Sequence, residues 1–193
     1  MDRGTERIRL WDPALRVCHW ALAAAVAAGW VLGKWGPGIM TWHFYVGYLV
    51  AGLLAFRLTW GLAGPRSARF GSFLRGPREV AAYAATLPRR QPSRWRGHNP
   101  LGGWASALLL ALLAAQVGTG LVADADDYLN RGPFAGAVSR QTALAAAGWH
   151  VTLSRVVLAM VALHLAAIAF YAVWKRENLV RPMLDGWKIV RRD

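Results

Sequence analysis

The stretch Trp149–Trp174, WHVTLSRVVLAMVALHLAAIAFYAVW, decides the fold of this chain. It is almost wholly apolar, and about 20 such residues are enough for a helix to cross a bilayer. It carries two histidines, His150 and His164, which are 14 residues apart. On an α-helix this spacing keeps both imidazoles within about 40° of one face and about 21 Å apart along the axis. One spanning helix therefore offers a nitrogen ligand near each side of a membrane.

Two explanations are open for these histidines. Ionisable side chains inside spanning helices are rare and usually functional. The alternative is that both are structural histidines, hydrogen-bonded to the backbone or to each other. Two further histidines in apolar stretches, His19 and His43, favour the ligand interpretation.

The composition indicates a membrane protein. The hydrophobic fraction is 55% and the mean hydropathy is +0.26. The net charge of +13 comes from basic residues between apolar stretches, a pattern that suits anionic lipid and not nucleic acid. Cys18 is the single cysteine and no C-x-x-C-H occurs, which excludes covalent c-type haem, a disulfide framework and thiolate zinc sites.

The apolar pattern predicts an all-α integral membrane four-helix bundle that forms one domain over residues 1–193. The first stretch resembles a signal-peptide core, but it is long and contains His19, so we expect it to be retained. Asp12-Pro13 and Asn99-Pro100 are typical helix starts, and residues 77–87 predict a short helix on the membrane surface. The predicted spans are residues 14–33, 41–61, 101–123 and 149–174.

The basic residues predict the orientation. Four lie in the segment up to Arg16, eight in the 62–99 loop and six in the tail after Trp174. The two remaining loops hold only Lys34, Arg131 and Arg140. Because cytoplasmic loops are enriched in Lys and Arg, we expect both termini in the cytoplasm.

This topology sorts the histidines by depth into two pairs across the bundle. His19 pairs with His164 near the cytoplasmic side, and His43 pairs with His150 near the periplasmic side. Two histidines with no carboxylate or thiol suit a six-coordinate haem iron, whose other four ligands come from the porphyrin. A zinc site needs three or four protein ligands, and a copper site needs nearby Cys or Met.

Three other residues bear on the site. Arg57 follows His43 by 14 residues on nearly the same face, where it can pair with a propionate of the inner haem. The alternative is an ordinary arginine that extends from a helix end to the surface. Arg155, five residues after His150, can reach an outer propionate or an entering anion, or face another helix. His98 lies in the basic loop and is expected to be a surface or capping residue, not a ligand.

Five further motifs carry a family resemblance. They are WDPALRVCHW (11–20), FRLTWGLAGPRSARF (56–70), FLRGP (73–77), GHNPLGG (97–103) and KRENLV (175–180). Together with the paired His150 and His164, these motifs resemble the bacterial cytochrome b561 family, which is similar to the b-type cytochrome subunits of nickel–iron hydrogenases. The resemblance covers nearly the whole chain, and the order of its motifs is specific.

The resemblance implies two b-type haems, held by His19, His43, His150 and His164, in a multi-pass protein of the bacterial inner membrane. It also implies electron transfer between the quinone pool and a periplasmic redox partner, such as a c-type cytochrome or a hydrogenase-like protein. The family also includes superoxide:quinone oxidoreductases, so a superoxide oxidase is the alternative function. A non-redox membrane anchor is a third hypothesis, but it leaves the four histidines without a purpose.

Overall fold

The computed structural model describes residues 5–92, 95–127 and 129–191. Four helices in this part of the chain are long and apolar enough to cross a membrane. The predicted fold class, an all-α integral membrane helical bundle, is confirmed. Arg3, Arg94 and Arg192, which contribute to the predicted charge asymmetry, lie outside the described residues. The elements are β1 (Thr5–Arg9), α1 (Pro13–Trp35), α2 (Thr41–Ala63), α3 (Pro77–Ala84), α4 (Pro100–Val122), α5 (Arg140–Val173), α6 (Val180–Asp185) and β2 (Trp187–Arg191).

Two of the spanning helices begin where the sequence predicts. The Leu15 N–H donates to Oδ1 of Asp12 at 3.0 Å, and the Gly102 N–H donates to Oδ1 of Asn99 at 2.8 Å. Each capping side chain satisfies a backbone donor in the first turn, where no carbonyl of the helix is available. The proline that follows each cap lacks an N–H and begins the helix.

Helix α5 begins at Arg140, nine residues before the predicted span. The prediction followed apolarity alone, and Arg140, Gln141 and Thr142 are polar. The helix nevertheless extends over them, because the next residues are rich in alanine and the Ser139 hydroxyl accepts the Thr142 N–H at 3.1 Å. The helix is therefore 34 residues long.

The chain divides into two compact units. Unit 1 comprises Met1–Cys18, Arg57–Leu108 and Ala162–Asp193, and unit 2 comprises His19–Phe56 and Leu109–Val161. In unit 1, β1 and β2 form an antiparallel ribbon in which Arg7 faces Ile189. Gly186 has φ of 84° and ends α6, and its carbonyl accepts the Leu10 N–H at 2.8 Å. A side chain there would approach the Trp11 carbonyl oxygen to 2.8 Å, so this junction requires glycine.

Unit 2 has a core to which all four spanning helices contribute. Its buried members are Ala25 of α1, Val50 and Leu54 of α2, Leu113 of α4 and Val157 of α5. Burial of such side chains, at about 1.5–3 kcal/mol each for the larger ones, holds the four helices together in this unit.

The loops of unit 2 are joined by Asn130. Its side chain accepts the Met40 N–H at 2.8 Å and donates to the Gly38 carbonyl at 2.7 Å. It also donates to Asp127 at 2.5 Å, and this bond holds the pKa of the Asp127 carboxyl below its usual range. The α4–α5 connection is therefore fixed to the α1–α2 connection.

Candidate haem site

His43 and His150 come together in unit 2. Their ring centroids are 6.0 Å apart, and the ring planes are inclined at 86°. Both side chains are half-buried. His43 lies in the first turn of α2, and His150 lies in α5 beyond the nine residues that extend this helix upstream. Two imidazoles from different helices thus face each other at a separation that suits two ligands of one metal ion.

Each of these rings is oriented by a backbone carbonyl. Nδ1 of His43 lies 2.9 Å from the Gly29 oxygen, and Nδ1 of His150 lies 2.9 Å from the Gln116 oxygen. A carbonyl can only accept a hydrogen bond, so Nδ1 carries the proton in both rings. Nε2 is then left with its lone pair, which is the tautomer that metal ligation requires.

Two glycines make room for the rings. A Cβ at Gly120 of α4 would lie 2.8 Å from Cε1 of His150, and a Cβ at Gly33 of α1 would lie 3.1 Å from Cε1 of His43. A Cβ at Gly47, one turn after His43, would meet nothing within 4 Å. Gly33 and Gly120 therefore allow the close approach of the imidazoles, while Gly47 faces open space.

The pair fits an iron atom held between two histidines. A metal bonded to nitrogen at about 2.0–2.1 Å on each side places the two ring centroids roughly 6 Å apart. The observed 6.0 Å agrees with this value. No group of three or more His, Cys, Asp and Glu side chains suited to a metal ion occurs in residues 5–92, 95–127 and 129–191. The donor set suits haem, which needs two axial ligands, better than zinc.

Gln116 is a site residue that the sequence reasoning missed. Its amide nitrogen lies 3.1 Å from Nε2 of His150, so its N–H occupies the lone pair that a metal would take. Gln116 must therefore turn away when a metal binds. The signal in the sequence was the one amide side chain within the third predicted span, residues 101–123.

His19 and His164 belong to different units and are described separately. His19, in unit 2, is half-buried, and its ring contacts Trp20 edge-on at 5.3 Å. His164, in unit 1, is half-buried on α5. Their pairing stays a prediction.

Arg57 is buried, with only 8% of its surface exposed. Its guanidinium carbon lies 4.7 Å from the centre of the Phe70 ring. Nη1 is buried and has no hydrogen-bond partner among the described residues. A buried cation with an unused donor requires an anionic acceptor, which a haem propionate can supply.

Arg155, unlike Arg57, is exposed. It lies on α5 and forms no ion pair within the part of the chain that the structure describes.

His98 is half-buried in unit 1, where the centre of its ring lies 5.0 Å from that of Trp11 and 4.7 Å from that of Phe73. Asn99, and not His98, caps α4. His98 therefore packs against aromatic rings instead of capping a helix or lying free on the surface.

The family described as prokaryotic cytochrome b561 matches residues 10–186. The chain belongs to this family. It is therefore a bacterial multi-pass membrane cytochrome of the b type, and its family function is haem-based electron transfer across the membrane. Neither a curated protein nor a solved structure matches the chain significantly. The matched range includes all four predicted ligands, His19, His43, His150 and His164.

Proposed function

We propose that this cytochrome transfers electrons between the quinone pool and a periplasmic redox protein, using two b-type haems. The observation that carries the proposal is the opposition of His43 and His150 at 6.0 Å, with Nδ1 of each ring bonded to a backbone carbonyl and Nε2 therefore unprotonated. These two residues hold one haem. His19 and His164, the other intramembrane histidines, hold the second.

The residues around each haem have distinct roles. The Gly29 and Gln116 carbonyls fix the two ring orientations and increase the basicity of the ligand nitrogens. Arg57 compensates a propionate of the haem held by His19 and His164. Arg155 is assigned to an anion at the His43–His150 level, because it is exposed and lies five residues beyond His150.

Bound haem supplies one-electron exchange between ferric and ferrous iron. Two histidines per iron leave no position for a substrate, so electrons enter and leave through the haem edge. The chain carries no nicotinamide- or flavin-binding motif, and four of its helices are long and apolar enough to cross a membrane. A lipid-soluble quinone is therefore the expected membrane partner. We place the His43–His150 haem on the periplasmic side and both termini in the cytoplasm, as the distribution of basic residues predicts.

A protein partner is favoured over superoxide by the charges of the α4–α5 loop. Arg131 pairs with Asp124 at 2.9 Å, and Arg140 pairs with Asp126 at 2.8 Å. These arginines are already neutralised, so they contribute little to a positive funnel for a small anion.

Stopped-flow kinetics on the purified cytochrome tests this function. The reduced protein should pass electrons to a water-soluble quinone analogue, and the haems should exchange electrons with a c-type cytochrome. The competing reactant is superoxide. If superoxide reduces the haems near the diffusion limit of about 10⁸–10⁹ M⁻¹s⁻¹ and no protein partner reacts, a superoxide oxidase replaces the proposed function.

A further inference from the structure

Unit 1 contains a basic cavity of about 460 Å³. Three arginines, Arg66, Arg75 and Arg96, line it. They come from three separate segments, which follow α2, precede α3 and precede α4. No carboxylate lines the cavity among the described residues. Guanidinium groups that converge from separate segments repel one another unless an anion lies between them.

The charges around this cavity are incompletely balanced. Arg96 pairs with Glu6 at 3.3 Å, and Arg75 reaches Glu79 only at 4.0 Å. Arg66 forms no ion pair or hydrogen bond through its side chain within residues 5–92, 95–127 and 129–191. Among these residues, Arg66 is therefore the arginine of the cavity whose charge no acid balances.

Part of the cavity wall is fixed in position. Nη2 of Arg75 donates to the Ser72 carbonyl at 3.1 Å, and its guanidinium carbon lies 5.5 Å from the centre of the Trp95 ring. Ser67 adds a hydroxyl to the wall. Planar guanidinium forks and hydroxyl donors are the groups that bind phosphate oxygens.

A second cavity of about 380 Å³ shares Arg66 and Ser72 with the first. Its other lining residues include the apolar side chains of Leu62 and Phe70, and also Arg69, whose Nε donates to the Gly64 carbonyl at 2.6 Å. Arg66 therefore lies between the basic cavity and a second cavity that offers apolar surface. An amphiphile, with a phosphate and a hydrocarbon chain, can contact the arginines of the first cavity and this apolar surface together, whereas free phosphate can use only the arginines.

The two cavities lie beside the ends of spanning helices. Helix α2 ends at Ala63, three residues before Arg66, and α4 begins at Pro100, four residues after Arg96. Ends of spanning helices lie at the depth of lipid headgroups. We propose that the basic cavity binds the phosphate of an anionic membrane lipid, with an acyl chain against Leu62 and Phe70.

The test uses the full-length, haem-loaded protein in bilayer discs of phosphatidylcholine containing phosphatidylglycerol. The triple variant Arg66→Gln, Arg75→Gln, Arg96→Gln is compared with Arg78→Gln, an exposed arginine of α3 that lines neither cavity. Native mass spectrometry counts the phosphatidylglycerol retained after extraction. We expect a loss of about fivefold in affinity for each arginine removed, and no change in the control.

Three results would overturn the proposal. The first is that the triple variant retains as much phosphatidylglycerol as the wild type. The second is that Arg78→Gln loses as much phosphatidylglycerol as the triple variant. The third is that excess inorganic phosphate displaces the lipid, which would identify a free-phosphate site. An unchanged haem spectrum shows that a variant has folded. If the triple variant does not fold, Arg66→Gln alone and Ser67→Glu replace it, and each must weaken retention at least several-fold. The readout does not depend on electron transfer, so it is independent of the proposed function.

Discussion

The ring planes of His43 and His150 are inclined at 86° to each other. Perpendicular axial imidazoles bring two d orbitals of low-spin ferric iron close in energy, which makes its EPR signal highly anisotropic. We therefore expect such a signal from the haem held by this pair. An ordinary rhombic spectrum from both haems would mean that the two rings become nearly parallel when haem binds.

Histidine variants test the assignment of ligands. His43→Ala and His150→Ala should each reduce the haem-to-protein ratio from about two to about one, and both should remove the same component from a redox titration. His19→Ala and His164→Ala should remove the other component. A pyridine haemochrome assay gives the ratio. The pairing is wrong if the His19 and His43 variants lose the same haem.

Carbon monoxide tests whether both irons are fully coordinated. Because two histidines per iron leave no open position, carbon monoxide should leave the reduced spectrum almost unchanged. A His43→Gly variant that keeps its haem should bind carbon monoxide, since one position is then open. Strong binding by the wild type would exclude ligation by two histidines at one of the haems.

The room provided by Gly120 predicts a steric effect. A Cβ there would lie 2.8 Å from Cε1 of His150, so Gly120→Ala should displace this ring and weaken binding of its haem. Overpacking of this kind typically costs about 1–3 kcal/mol. Gly118→Ala is the matched control, because a Cβ at Gly118 meets nothing within 4 Å. Equal haem occupancy in the two variants would contradict this role for Gly120.

The buried guanidinium of Arg57, whose Nη1 has no hydrogen-bond partner among the described residues, predicts an electrostatic effect. A positive charge beside a haem disfavours the ferric form, so Arg57→Gln should lower the midpoint potential of the haem that we propose for His19 and His164. An effect on the order of 1–2 kcal/mol is expected for a single charge at the effective dielectric constant of a protein, about 20. Arg57→Lys, which keeps the positive charge, should have a midpoint potential close to that of the wild type. Redox titration measures both, and a shift confined to the other haem would refute the assignment.

His98 should be dispensable for haem but not for stability. His98→Ala removes a ring that packs against Trp11 and Phe73. Both haem spectra should persist, while the free energy of unfolding should fall by about 1–2 kcal/mol. Absorbance spectra and thermal unfolding check the two parts. Loss of one haem would add His98 to the ligands.

Local chemistry made much of the fold predictable. Long apolar runs identify the spanning helices, and the Asp12-Pro13 and Asn99-Pro100 pairs identify two helix starts, because a cap and its helix are adjacent in sequence. The His43–His150 pair was predictable because helical periodicity and topology constrain depth. The structure brings these two rings together without testing the haem itself.

Features that depend on distant residues could not be predicted. The spacing of Gly33 and Gly120 does not show which ring each one will meet, since that depends on helix packing. The β1–β2 ribbon joins residues about 180 positions apart, and neither strand has a strong pattern of its own. The early start of α5 was missed because the prediction used apolarity, whereas alanine extends helices in polar surroundings as well.

The β1–β2 ribbon can form only late in synthesis, because its two strands lie near opposite ends of the sequence. Thr5 faces Arg191, so the first strand leaves the ribosome long before its partner has been translated. Until then its backbone donors and acceptors must be satisfied by water or by another chain. All four apolar helices are translated before the ribbon can close. Closure of the ribbon is thus a late step, and a chain that ends before Trp187 has no partner strand for β1.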